Sequence, residues 1–221
     1  MTTRDSSGRW RPAPNPEANH APMKTIDYYF TPVSPWTHFG HARLDEIARR
    51  HGARISVKPV DFGRIFPVSG GLPLKQRAPQ RQAYRMFELA RWRDFLGIPI
   101  HLEPKFFPAP ADPASLLILA AAPAGWQHQM DLAGALLRAC WQEERNVADP
   151  ATLQAVADGL GLQGEGLLAR AGSAEIRAIY EQLTDEAIER QVFGAPTYIV
   201  DDEPFWGQDR LDFVERRLAA A

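Results

Sequence analysis

The 221-residue chain is long enough for one domain with a substantial core, or for one domain carrying a large insertion. Its 25 Lys and Arg against 27 Asp and Glu leave a net charge of −2, which argues against a general nucleic-acid binder. A single cysteine excludes a disulfide scaffold and fits a reducing cytoplasm, and the richest apolar run, Leu116 to Ala124, is too short to cross a membrane.

Residues 1–22 are polar, rich in Pro, Arg and Asn, and lack an apolar stretch, so they predict a disordered tail and not a signal peptide. Lys24 to Phe30 alternates and predicts a first strand. Ser34-Pro35 then predicts a helix start, with serine as N-cap and proline at the first helical position. That helix carries Gly40, Leu44, Ile47 and Ala48 on one face and stops at Gly52. Arg54 to Val60 predicts a second strand, parallel to the first through the helical crossover. Gly63 to Pro79 reads as a long loop rich in Gly and Pro. Helical stripes follow at Leu89, Trp92 and Leu96, at Met130, Gly134, Leu137 and Trp141, and at Ile176, Ile179, Tyr180 and Leu183. Asp112-Pro113 and Asp149-Pro150 each predict an N-cap followed by proline. Strands resume only at Thr197, and a last helix turns Leu211, Val214 and Leu218 inward. Residues 24–60 and 191–221 therefore predict an α/β sheet domain split by an all-helical insertion over 61–190.

Two segments carry the chemistry. In Phe193-Gly194-Ala195-Pro196-Thr197-Tyr198-Ile199-Val200 a Gly-X-Pro step opens a β-branched and aromatic run, a strand entered through a rigid turn. A cis proline there would leave the Ala195 N–H and C=O free to pair with an extended peptide. Pro204-Phe205-Trp206-Gly207-Gln208-Asp209-Arg210 then gives a short strand and a helix start suited to a carboxylate. The matching segment is Asp27 to Gly40, where Ser34 occupies the strand-to-helix turn that a thioredoxin-like redox enzyme gives to a Cys-X-X-Cys pair. Cys140 is distant in sequence, so no intramolecular dithiol is available, and it reads as a buried, inert thiol. No His, Cys or carboxylate cluster has metal-ligand spacing, and no metal is expected.

The blocks Ser34-Pro35-Trp36-Thr37-His38, Phe193-Gly194-Ala195-Pro196-Thr197 and Phe205-Trp206-Gly207-Gln208-Asp209-Arg210-Leu211 resemble the 2-hydroxychromene-2-carboxylate isomerases. These are relatives of kappa-class glutathione transferases within the DsbA-like thioredoxin folds. The resemblance runs from about Met23 to the C-terminus, and its specific part is the C-terminal block. It implies a thioredoxin-like split sheet with a large helical insertion, glutathione as cofactor, a small aromatic substrate and a homodimer. The implied reaction is cis–trans isomerisation of 2-hydroxychromene-2-carboxylate-type catabolites by reversible thiolate addition, bond rotation and elimination. A glutathione transferase or reductase acting on another electrophile, or a non-catalytic thioredoxin-like binding domain, remain the rival readings.

The resemblance also implies roles. Ser34 would donate a hydrogen bond to the glutathione thiolate and lower its pKa; otherwise it is an N-cap and nothing more. His38 stands where the family carries tyrosine, one helical turn after Ser34, as a proton donor or a hydrogen-bond donor, against a purely structural role. Ala195 and Pro196 would fix the cysteinyl backbone, and Gln208 and Asp209 the γ-glutamyl end. Arg81, or Lys75, would face the glycyl carboxylate, and Trp36 would form a wall for an aromatic substrate or pack in the core. Gly71 falls where the family has an asparagine that contacts glutathione, so that contact is lost or supplied elsewhere.

Overall fold

The computed structural model describes residues 23–220, together with a two-residue antiparallel ladder of Thr3–Arg4 with Trp10–Arg11. The tail expected over 1–22 otherwise lies outside the described residues. Four strands form one sheet: β1 (Thr25–Phe30), β2 (Arg54–Pro59), β3 (Thr197–Val200) and β4 (Glu203–Trp206). Their spatial order is β2-β1-β3-β4. β2 is parallel to β1, joined by helix α1 (Pro35–Arg50), whereas β3 runs antiparallel to β1 with Tyr29 opposite Thr197. β4 returns along β3, placing Trp206 opposite Thr197. This register brings Phe30, Pro59, Thr197 and Trp206 to one edge of the sheet, and the functional segments all leave from that edge.

Strand alternation sorts the side chains into two layers. Ile26, Tyr28 and Phe30 of β1 enter the larger core with Leu44 and Ile47 of α1, and the rings of Phe30, Tyr28 and Tyr198 stack with centroids 4.4 and 5.6 Å apart. Tyr29 points the other way, to Ile65, Ala187, Val192 and Ile199. At that second face Lys58 is gripped by Asp27 at 2.9 Å and Glu186 at 2.6 Å, and Tyr29 Oη donates to Glu186 at 2.6 Å. This half-buried cluster ties both parallel strands to the helix that bears Glu186.

The insertion contains, among the described residues, α2 (Phe62–Ser69), α3 (Pro79–Leu96), α4 (Asp112–Ala120), α5 (Trp126–Trp141), α6 (Pro150–Gly159), α7 (Gly164–Ala171) and α8 (Ala174–Glu189). α4 is its centre, with Ala114 to Ala120 all buried. Trimming a fully buried residue such as Leu117 to alanine would cost about 2–5 kcal/mol. Helix α9 (Leu211–Ala219) closes the chain and buries Leu211, Val214 and Leu218, as the sequence predicts.

Two local expectations are corrected. The segment from Gly63 to Pro79 is not a continuous loop: α2 covers its first part and a 3₁₀ turn, Leu74–Gln76, interrupts the rest. Asp61 caps α2 by accepting from the Gly63 N–H at 2.7 Å, and Phe62, Ile65 and Phe66 give it an apolar stripe that outweighs the internal Pro67. Asp112 is not an N-cap but the first residue of α4, behind Ala111, and its carboxylate accepts instead from Tyr180 Oη at 3.1 Å. Asp149 does cap α6, accepting from the Thr152 N–H at 3.0 Å.

Candidate active site

Ser34 sits at the N-terminus of α1, 7% exposed, with its Oγ accepting from the Thr37 N–H at 3.2 Å. The capping role is thus present, and the hydroxyl proton is left over for another acceptor. The first turn of α1 holds no acidic side chain, so the positive end of the helix is uncompensated. Two further hydroxyl oxygens in this segment, Thr31 Oγ1 and Thr37 Oγ1, are buried without a hydrogen-bond partner among the described residues. Sequence reasoning passed over both threonines, and only their nearness to a serine N-cap could have marked them.

Across the sheet edge, the Ala195–Pro196 peptide is cis. Among the described residues neither the N–H nor the C=O of Ala195 has a hydrogen-bond partner, whereas the Pro196 carbonyl accepts from the Gly207 N–H at 2.9 Å. Thr197 Oγ1 donates to the Gly194 carbonyl at 2.7 Å and sets the turn. Phe193 and Trp206, both about half exposed, meet edge to face at 4.8 Å beside it.

Gln208 and Asp209 begin a 3₁₀ turn, Gln208–Arg210, that runs into α9. Gln208 is buried against α1, while Asp209 is exposed and paired with Arg210 at 2.6 Å. An exposed pair of this kind is worth at most about 1 kcal/mol, so a ligand ammonium can displace the guanidinium at little cost.

His38 is buried, 3.0 Å from the Gln142 side-chain nitrogen through Nε2, and is hydrogen-bonded to the Pro99 backbone. Burial first, then His41 and Arg138, pull its pKa down to about 4. At neutral pH the ring is therefore uncharged, and its contact with Gln142 links α1 to the end of α5. Trp36 is half-buried, 6.1 Å from Phe39 by ring centroids, and packs against the main core. Gly71 lies under Phe66, whose ring would collide with any Cβ there, so the asparagine of the resembling family has no room. Lys75 and Arg81 are exposed and have no carboxylate partner among the described residues. Cys140 is buried, with its thiol pushed up to about 12 by burial, an inert group as the sequence predicts. Among the described residues no cluster of three His, Cys, Asp or Glu could hold a metal ion.

Among the described residues the Ala195 amide, two threonine hydroxyls of the β1–α1 segment and the Ser34 proton are thus all left without a hydrogen-bond partner at the end of the sheet from which these segments leave. A family model described as a DSBA-like thioredoxin domain matches residues 25–219, and the chain belongs to that family. A 2-hydroxychromene-2-carboxylate isomerase of Sphingobium xenophagum is 30% identical over 200 residues, 88% of this chain and 98% of the relative. Within the DSBA-like family the chain's branch is therefore that of the 2-hydroxychromene-2-carboxylate isomerases. A solved structure of such an isomerase superposes with a TM-score of 0.78 at 24% identity, covering 88% of this chain and 94% of the other. Glutathione S-transferase kappa 2 of Caenorhabditis elegans is 26% identical over 209 residues, 89% of this chain and 92% of the relative.

Proposed function

We propose that the protein is a glutathione-dependent isomerase of 2-hydroxychromene-2-carboxylate-type aromatic catabolites. The observation that carries this reading is the placement, at one end of the sheet, of a buried Ser34 at a helix N-terminus and of an Ala195 amide that has no partner among the described residues. When bound, glutathione supplies a thiolate that adds reversibly to a conjugated double bond and leaves unchanged after rotation. Ser34 Oγ–H and the Trp36 N–H, the one N–H in the first turn of α1 left without a partner among the described residues, stabilise that anion and lower the thiol pKa. Ala195 N–H and C=O hold the cysteinyl backbone in a strand-like pair, with Pro196 fixing the turn. Gln208 and Asp209 bind the γ-glutamyl end, and Arg81 the glycyl carboxylate. Trp36 closes the aromatic side of the site. The reaction leaves no net redox change, which is why a serine suffices where relatives of the fold use a dithiol.

The test is the approach to equilibrium between hydroxychromene carboxylate and trans-o-hydroxybenzylidenepyruvate. Both directions should accelerate only with glutathione, which is recovered unchanged, and S-methyl glutathione should support no turnover. Activity after complete removal of glutathione would refute the cofactor. The kappa-class relative favours one second reading, a transferase on the same site, and an accumulating glutathione conjugate would establish it instead.

A further inference from the structure

Residues 62–87 include Arg64, Lys75, Arg77, Arg81 and Arg85 and no Asp or Glu, in a chain whose net charge is −2. Arg64 pairs with Asp185 at 2.6 Å, and Arg91 and Arg93, further along α3, pair with Glu88 and Asp94. Arg77, Arg81 and Arg85 have no carboxylate partner among the described residues. Arg81 and Arg85 lie one turn apart on α3, whose first turn lacks an acid, and Arg77 stands just before that helix, near both.

Arg77 is anchored, its Nε–H donating to the Leu72 carbonyl at 2.8 Å and its guanidinium lying 5.9 Å from the Phe66 ring centre. Arg85 is different. It is half-buried, its guanidinium lies 5.4 Å from the Phe107 ring centre, and its one side-chain contact among the described residues is a weak one to Met86 Sδ at 3.9 Å. Burial, then Arg77, lower its pKa to about 10. A half-dry guanidinium beside other cations loses free energy in the unliganded chain, and an anion would restore it.

The place of Arg85 relates it to the site. Phe107 packs on Trp141 with centroids 4.8 Å apart, the next residue, Gln142, meets His38, and His38 lies one turn beyond Ser34. Val33, Trp36, Met86 and Phe107 pack against one common core. Helix α3 also packs on α1, so an anion at Arg85 would lie on the helix that neighbours the one Ser34 caps.

We propose that Arg85 is the specificity residue for the substrate: it binds the carboxylate of an aromatic acid whose ring lies on the Met86 and Phe107 side of the site. This rests on the isomerase reading above, and it separates two carboxylates, with Arg81 serving glutathione and Arg85, about 6 Å further along the helix axis, serving the substrate. Esters and amides of the same compounds are excluded as good substrates because they lack the charge.

The experiment compares kcat/KM for the carboxylate substrate and its methyl ester in wild type, Arg85→Gln and Arg85→Lys, each with glutathione. Wild type should prefer the acid. Arg85→Gln should lower kcat/KM for the acid by about 10- to 100-fold, chiefly through KM, and leave the ester unchanged. Arg85→Lys should recover part of the loss. An acid-to-ester ratio unaltered by Arg85→Gln overturns the proposal. If wild type turns over neither compound, the isomerase reading itself has failed, and calorimetry with trans-2-hydroxycinnamate then decides the anion site alone. Binding that is lost in Arg85→Gln upholds it; binding equal in both proteins, or absent from both, overturns it.

Discussion

Gly40 and Gln208 touch as backbone against side chain: a Cβ on Gly40 would fall 2.8 Å from Gln208 Cβ and 2.8 Å from Tyr198 Oη. Helix α1 can therefore lie directly on the turn that leads into α9 only because residue 40 has no side chain. Gly40→Ala should force the two apart, at about 1–3 kcal/mol. Because the same shift moves Gln208, the affinity for glutathione should fall as well. Denaturant unfolding and calorimetry on the variant check both effects, and normal values of both would mean that the close approach is dispensable.

Ser34→Ala separates capping from catalysis. Loss of the cap should cost about 1 kcal/mol of stability. Loss of the donor to the thiolate should lower turnover by about a hundredfold or more and raise the pKa of bound glutathione. Ultraviolet titration of the thiolate in the complex reads the second effect directly. A variant with normal turnover and an unchanged titration would reduce Ser34 to its cap.

Asp209→Ala should raise the KM for glutathione several-fold with little change in kcat at saturation, since an ammonium at the γ-glutamyl end is remote from the reacting sulfur. Arg210→Ala should leave affinity the same or improve it, because Arg210 competes for the same carboxylate. Calorimetry distinguishes the pair; equal weakening by both substitutions would contradict the assignment.

Stability should depend on pH through two buried rings. His41 Nε2–H donates to the Met130 carbonyl at 2.9 Å, while Tyr28 Oη donates to Nδ1 at 3.2 Å, so the ring is held neutral. Burial, opposed in part by the Met130 hydrogen bond, takes its pKa from the ordinary 6.5 down to about 4, and His38 is lowered equally far. As pH falls the unfolded chain takes up these protons first. The stabilisation is then full above about pH 6.5, declines towards pH 4 and levels off below it, with each ring contributing on the order of 3 kcal/mol. Urea unfolding between pH 7.5 and 4 should show this slope, and His41→Gln should flatten it. A slope identical in the variant would falsify the assignment.

Much of this arrangement is legible in the sequence because local chemistry and tertiary demand agree. Ser34-Pro35 caps a helix, Gly194-Ala195-Pro196 opens a strand, and alternation marks β1. The segment after Asp61 was illegible because its Gly and Pro content argues for a loop, while Phe62 and Ile65 are fixed as a helical stripe only by packing against Tyr29 and Ile199. Asp112 has the same cause: a distant Tyr180 claims its carboxylate. The role of Arg85 was hidden for a related reason, since the ring it lies over, Phe107, is 22 positions away in a segment without regular structure.

The central position of β3 has a consequence for the birth of the protein. Until residues 197–200 leave the ribosome, β1 has hydrogen-bonding groups open along one side, a surface that invites pairing with other chains. The pairing of that late strand therefore removes an adhesive edge and, in the same event, brings the segment that bears Ala195 to the end of β1 from which Ser34 follows.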